Sequence, residues 1–294
     1  VSQTETWTIG RLLGWTVDYL KKHGSDSPRL DAEVLLAHAR GCQRIQLYTS
    51  FEEPAGDELR AAFRELVRRR AEGAPVAYLV GRREFYSLSF RVTPDVLIPR
   101  PETEFLVITL LDLLKKFKAD RPAEVVDVGA GSGIIAVTTA RHAATCRLTA
   151  IDISPAALGV AKGNAAELGV ADRIEFVASD LLAALPADRK FDFIVSNPPY
   201  ISDAELEQLP RDVKDFEPRL ALAAGPRGMG VIERLVPQAA ERLNPGGYLL
   251  LEISPMLNQQ VRELIQADGR FELAPPIKDL AGLARVVQAR RLPS

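Results

Sequence analysis

Asn197 is the side chain whose surroundings point most directly to chemistry. It follows the apolar run Phe193-Ile194-Val195 and Ser196, and it precedes Pro198-Pro199-Tyr200-Ile201. A buried strand that ends in two prolines makes a stiff elbow, because each proline fixes φ and Pro198 also biases Asn197 toward extended backbone. One carboxamide and the nearby carbonyls are then held in place before any ligand arrives. A planar nitrogen with two exchangeable hydrogens matches that arrangement: one N–H goes to the Asn197 side-chain oxygen, the other to the Pro198 carbonyl, and Tyr200 packs on its face. The plain alternative is a turn, since Asn-Pro opens turns often.

Three other strand ends add to this picture. Asp127-Val128-Gly129-Ala130-Gly131-Ser132-Gly133 follows an apolar strand and leads into a helix, so its glycines let the backbone turn sharply and approach a ligand. The spacing is G-x-G-x-G with Ile134 where the nicotinamide fingerprint needs its third glycine, which departs from that pattern. Asp152 ends the next strand, where a carboxylate can accept both hydroxyls of a ribose; a helix cap ahead of Ser154-Pro155 is the other reading. Asp180 follows the third strand with Leu181 beside it, an acceptor for an amino N–H next to an apolar cover for a ring, or simply a loop acid. The combination is harder to obtain by chance than any one member.

The elements that must position these residues read in two parts. Residues 8–80 carry helical stripes: Thr8 caps the first, Pro28 opens a second that Gly41 closes, a short third covers 43–49, and a fourth runs from Asp57 toward Gly73. Such stripes bury one another as a small bundle. Residues 83–93 alternate aromatic and β-branched types and predict a hairpin, followed by a proline-pinned connector to Pro101 and a helix over 102–118. From Glu124 onward, strands at 125–128, 148–151, 174–177, 193–195, 248–253, 271–274 and 285–288 alternate with helices. That pattern predicts an α/β fold, a doubly wound and mostly parallel seven-stranded sheet, with the helical bundle attached through the hairpin. The expected domains are 1–82, a hairpin and linker at 83–101, and 102–294.

Composition narrows the classes. The 294 residues are 47% hydrophobic and 26% charged with a net charge of −2, so no positive field gathers nucleic acid non-specifically. Cys42 and Cys146 stand apart without ligand spacing, and His23, His38 and His142 lie in helix-like stretches, which argues against zinc or a disulfide framework and for a reducing cytoplasm. No apolar run reaches bilayer length, and the polar start Val1-Ser2-Gln3-Thr4-Glu5-Thr6 does not read as an export leader.

The residues also resemble one family along nearly the whole chain. Gly73-Ala74-Pro75-Val76-Ala77-Tyr78, Glu84-Phe85-Tyr86, Ile98-Pro99-Arg100-Pro101-Glu102-Thr103-Glu104, the 129–133 loop, Asn197–Tyr200, Glu217-Pro218, Asn244-Pro245-Gly246-Gly247 and Asp279-Leu280-Ala281-Gly282 together resemble the protein glutamine N5-methyltransferases of the HemK/PrmC type. The resemblance implies a class I, Rossmann-like methyltransferase using S-adenosyl-L-methionine on the glutamine of the Gly-Gly-Gln loop in class 1 translation release factors. It implies cofactor contacts at Gly129, Ala130, Gly131, Ser132 and Gly133, at Asp152, at Asp180 with Leu181, and at Asn197. The glutamine-binding elbow is Asn197, Pro198, Pro199 and Tyr200. A cytoplasmic monomer with a protein partner, and with neither stable nucleic-acid nor membrane binding, is expected. Two departures, Ser87 for the usual Gly and Phe216 for the common Tyr, are expected at the substrate rim. No His or carboxylate base stands beside the elbow in the sequence, so proton loss to water is expected. The main rival is an amino methyltransferase of adenine or guanine, which meets the same chemical problem but commonly adds a basic recognition region. A nicotinamide oxidoreductase and a non-catalytic binding protein are weaker readings.

Overall fold

Alternate residues of the central strands enter two different cores. Val125, Phe193, Val195 and Leu250 pack on one side, while their neighbours Val126, Ile194, Leu249 and Leu251 pack on the other. A strand buried on both faces reads as a continuous apolar run, and a parallel sheet covered by helices requires this. The chain is described by a computed structural model over residues 6–293; the polar stretch 1–5, read above as no export leader, lies outside the described residues.

Strands β1 (Arg82–Phe85) and β2 (Leu88–Arg91) form the hairpin. The large sheet contains β3 (Ala123–Val128), β4 (Cys146–Asp152), β5 (Ile174–Ala178), β6 (Phe191–Ser196), β7 (Leu243–Glu252), β8 (Phe271–Leu273), β9 (Ile277–Lys278) and β10 (Ala284–Arg291). Its order is β5-β4-β3-β6-β7-β10-β8, parallel from β5 to β7 and antiparallel at β10, with β9 paired beside β10. All seven expected strands occur; the two-residue β9 is an eighth, too short to leave a pattern. Strand β7 starts at Leu243, earlier than expected, because it pairs with β6 across a register shift. Helices Thr103–Lys116, Ile134–His142 and Pro155–Glu167 cover one face, and Gly230–Arg242 and Asn258–Asp268 the other. Chain order reverses between β3 and β6, and at such a switch point the diverging loops leave a crevice.

Two compact units emerge. The first contains residues up to Arg82 together with Pro210–Phe216; the second contains Arg83–Leu209 and Glu217–Ser294. In the first, helices Ile9–Lys22, Pro28–Arg40, Arg44–Thr49 and Asp57–Ala71 bury Leu12, Leu35, Leu36, Leu47 and Phe63, and a short helix, Val76–Val80, joins them. Thr8 and Pro28 start their helices and Gly41 ends one in the left-handed region, as expected. Phe216 packs on this same helical core. Its departure from the family's Tyr therefore falls on packing. Ser87 sits with Tyr86 in the two-residue hairpin turn, both left-handed at φ 58° and 51°. Such a turn favours glycine, so Ser87 is a matter of backbone strain.

Candidate active site

The end of β3 turns through the glycine loop. Gly129, Gly131 and Gly133 have φ of 78°, 55° and 84°, values that suit residues without a Cβ. The N–H groups of Gly129 and Ala130 both donate to the Ile151 carbonyl at 2.9 Å, which fixes the loop to β4. Asp127 beneath it is fully buried. One of its oxygens accepts from the Ala136 N–H at 3.1 Å, while Oδ1 is buried with no partner among the described residues. Burial, with a smaller push from the Asp152 charge, raises its carboxyl to about 7, and the Ala136 N–H acts against that.

Asp152, at the end of β4, accepts from Gly131 N–H at 2.9 Å and Ser154 N–H at 2.8 Å. Ser154, not Asp152, caps the following helix through Ala157 N–H. Beyond β5, the Asp180 carboxylate pairs with Arg234 at 2.5 Å, and Leu181 is buried in a left-handed conformation.

Asn197 leaves β6 beside Ser196, whose hydroxyl donates to the Val128 carbonyl at 2.6 Å and ties the β6 end to the β3 end. The Asn197 Nδ2 donates to Thr103 Oγ1 at 3.2 Å. The elbow is then drawn away from the crevice. Ile201 N–H donates to Leu222 O at 3.0 Å, and Ala224 N–H donates to Ile201 O at 2.9 Å. Gly228 closes against this segment: a Cβ there would lie 2.5 Å from the Tyr200 carbonyl oxygen.

These strand ends surround one cavity of about 380 Å³. Gly129, Ala130, Gly131 and Ser132 line it, as do Asp152, Asp180, Leu181, Asn197, Pro198 and Pro199. Two expected residues do not. Gly133 faces Ala161, whose Cβ would stand 3.1 Å from an added one, so it serves the turn and the close helix contact. Tyr200 lies outside the lining because the chain turns away after Pro199; burial first, then the Glu252 charge, pushes its hydroxyl up to about 12 against the opposing charges of Arg100 and Arg285. The connector after the hairpin forms another wall. Glu217 is buried under it and accepts from Ile98 N–H at 3.1 Å and Arg100 at 2.5 Å.

One buried carboxyl that the sequence does not place near the elbow ends the neighbouring strand. Glu252, the last residue of β7, is 2% exposed and directly follows Leu251, which pairs with Ser196 beside Asn197. Burial raises its carboxyl to about 7; the nearby Thr103 and Asn197 side chains and the charge of Arg285 act against this, while the charge of Glu102 adds to it. In the sequence Glu252 simply ends the run Leu249-Leu250-Leu251, where a charge reads as the strand's exit to water. Among the described residues there is no cluster of three or more possible metal ligands, and no helix long and apolar enough to cross a membrane.

Known proteins share this plan. Residues 11–81 match the PrmC N-terminal domain and residues 109–210 the methyltransferase small domain. The T. thermophilus 16S rRNA N2 G1207 methyltransferase, solved with AdoMet and guanosine, superposes with a TM-score of 0.52 at 20% identity over 71% of this chain and 49% of its own. The fold is that of a class I methyltransferase. A Rhodopirellula baltica release factor glutamine methyltransferase is 52% identical over 99% of this chain and 98% of its own length, and one from Koribacter versatilis is 42% identical over 97% and 99%. The chain belongs to the release factor glutamine methyltransferase family.

Proposed function

We propose that this chain methylates the side-chain amide nitrogen of the glutamine in the Gly-Gly-Gln loop of class 1 release factors, in the cytoplasm, with S-adenosyl-L-methionine as donor. The observation that carries the reading is Asn197 at the switch point. Its nitrogen is committed to Thr103, it lines the cavity, and its oxygen is the acceptor left for a ligand.

The residues present suit the donor. A Cβ at Gly129 or Gly131 would meet no protein atom within 4 Å, so the loop leaves open space beside it. The two oxygens of Asp152 each accept one backbone N–H and keep a second lone pair for a ribose hydroxyl. Asp180 keeps one oxygen for an amino group, with Leu181 as the apolar cover. When bound, the donor supplies a methyl group on a positively charged sulfur.

The protein's task is to prepare a poor nucleophile, since an amide lone pair is delocalised into its carbonyl. Asn197 Oδ1 and the Pro198 carbonyl each accept one N–H and aim the nitrogen along a single line. As the nitrogen gains positive character, those hydrogen bonds strengthen, so they favour the transition state over the ground state. The prolines keep both acceptors in place. The N-terminal helical unit recognises the release factor, and its near balance of charge suits a contact of shape and polarity rather than phosphate tracking. The protein acts as a monomer without a stable nucleic-acid complex.

Incubation with labelled donor, a class 1 release factor and nucleic acids, followed by mass spectrometry, should place the label on the glutamine alone; label on a base amino group refutes the reading. Asn197→Ala should lower kcat about 100-fold or more while donor affinity by calorimetry stays within about threefold.

A further inference from the structure

The walls of the cavity come from distant parts of the chain, and one buried amide ties two of them together. Asn164 lies in the helix Pro155–Glu167 and is 1% exposed. Its companions on the buried face include Ala157, Ala161 and Ala165, all small and apolar. Asparagine is a poor helix former, and burying its amide costs free energy unless both polar atoms find partners. Both do, and neither partner lies in the helix. Asn164 Oδ1 accepts from the Arg91 N–H at 2.7 Å, while Nδ2 donates to the Arg91 carbonyl at 3.0 Å and to the Ser132 carbonyl at 2.8 Å. This set fixes the amide orientation, because a flip would put Nδ2 against an N–H and Oδ1 against two carbonyls.

Both partners lead to the cavity, although Asn164 itself stays outside its lining. Ser132 lines it from the glycine loop. The start of that loop is tied to β4 through Gly129 and Ala130, and Gly131 is held by Asp152. Ser132 stands between Gly131 and Gly133, two left-handed glycines about which a chain can swing. Asn164 restrains it there by the carbonyl. Arg91 ends β2, and Pro94, Asp95 and Val96 of the connector that follows form another part of the lining. We propose that Asn164 is a positioning residue for the methyl donor, holding the outer part of the glycine loop and the root of the connector at one spacing. This rests on the reading of the cavity as the donor site given above. Without Nδ2, the loop must be ordered as the donor binds, and that cost appears as lost affinity. Transfer from a donor already bound is left to the elbow, so turnover at saturation is nearly spared.

The test uses the full chain and S-adenosyl-L-methionine, with affinity read by calorimetry. Asn164→Ala and Asn164→Asp should each weaken donor binding about tenfold or more, the second because its new oxygen faces two carbonyls. At saturating donor, kcat and KM for an intact release factor should stay within about threefold. Ile265→Ala truncates a buried side chain in the helix Asn258–Asp268, on the other face of the sheet. It should lower the thermal midpoint yet keep donor affinity within about twofold, which separates positioning from general destabilisation. Hydrogen exchange on the parent decides the matter even if neither Asn164 variant folds: saturating donor should slow exchange of the Arg91 amide, whose proton Asn164 accepts, about fivefold or more. Parent-like donor affinity in either Asn164 variant, an equal loss in Ile265→Ala, or an Arg91 amide indifferent to donor overturns the positioning role and leaves the reading of the cavity standing. A parent chain that binds no S-adenosyl-L-methionine overturns both.

Discussion

The two halves of the sheet's carboxyl edge solve different problems. On the side of β3, β4 and β5, acidic groups engage backbone N–H groups or a partly exposed arginine: Asp152 holds Gly131 and Ser154, and Asp180 holds Arg234. Such groups keep lone pairs facing the cavity and can adapt to a ligand. On the side of β6 and β7, a side chain engages another side chain: the half-buried Asn197 donates to the buried Thr103, and the buried Glu252 ends the neighbouring strand. Burying a carboxyl there costs stability. On the proposed reading, the contrast separates binding from aiming: one half of the edge accommodates a ligand, the other holds the amide acceptor.

The largest expected effect concerns one buried carboxyl on each half. Asp127 and Glu252 both stand at about 7, above the ordinary 3.8 and 4.5. Between about pH 4 and 7 the native state keeps protons that the unfolded chain has released, so stability is greatest at the acid end of that window and falls as pH rises through 7, by up to roughly 3–4 kcal/mol per group. Urea midpoints measured from pH 5 to 8 should decline, and a rising curve would break the comparison. Next in size, Gly228→Ala forces a methyl against the Tyr200 carbonyl oxygen at a positive φ of 69°. It should cost about 2–3 kcal/mol and lower kcat more than it weakens donor binding, as chemical denaturation and steady-state kinetics would reveal. On the adaptable half, Asp152→Ala should weaken donor binding about tenfold or somewhat more by calorimetry with little change in kcat at saturation. An unchanged affinity would remove its ribose role. Smallest, Ser87→Gly should relieve the left-handed turn and stabilise the protein by about 0.5–1 kcal/mol with unaltered turnover.

The adaptable half was legible in the sequence, and the other half only partly. Glycines between a strand and a helix, and acids at the next two strand ends, are local patterns that survive in one dimension. The hairpin was legible too, since Phe85 and Phe90 alternate with polar neighbours and both end up buried. Asn197 declared itself through its prolines. Glu252 did not, because its burial depends on pairing opposite Val286 of β10 and on Thr103 from a distant helix, which is register and tertiary packing. Glu217 showed only as part of a motif, and its role stayed unread for the same reason: its partners, Ile98 and Arg100, lie more than a hundred residues away. The four-residue helices at Asp203–Leu206, Arg211–Lys214 and Arg219–Leu222 are too short to show a period.

The helical unit borrows Pro210–Phe216 from far down the chain, and Phe216 packs on its core. On the ribosome, residues up to Arg82 emerge before Pro210–Phe216, and that core lacks Phe216 until more than a hundred further residues have been made. A gene fragment stopped at Arg82 would therefore yield a bundle with a bare patch, and a recombinant version for partner-capture work would need the 210–216 segment spliced back on.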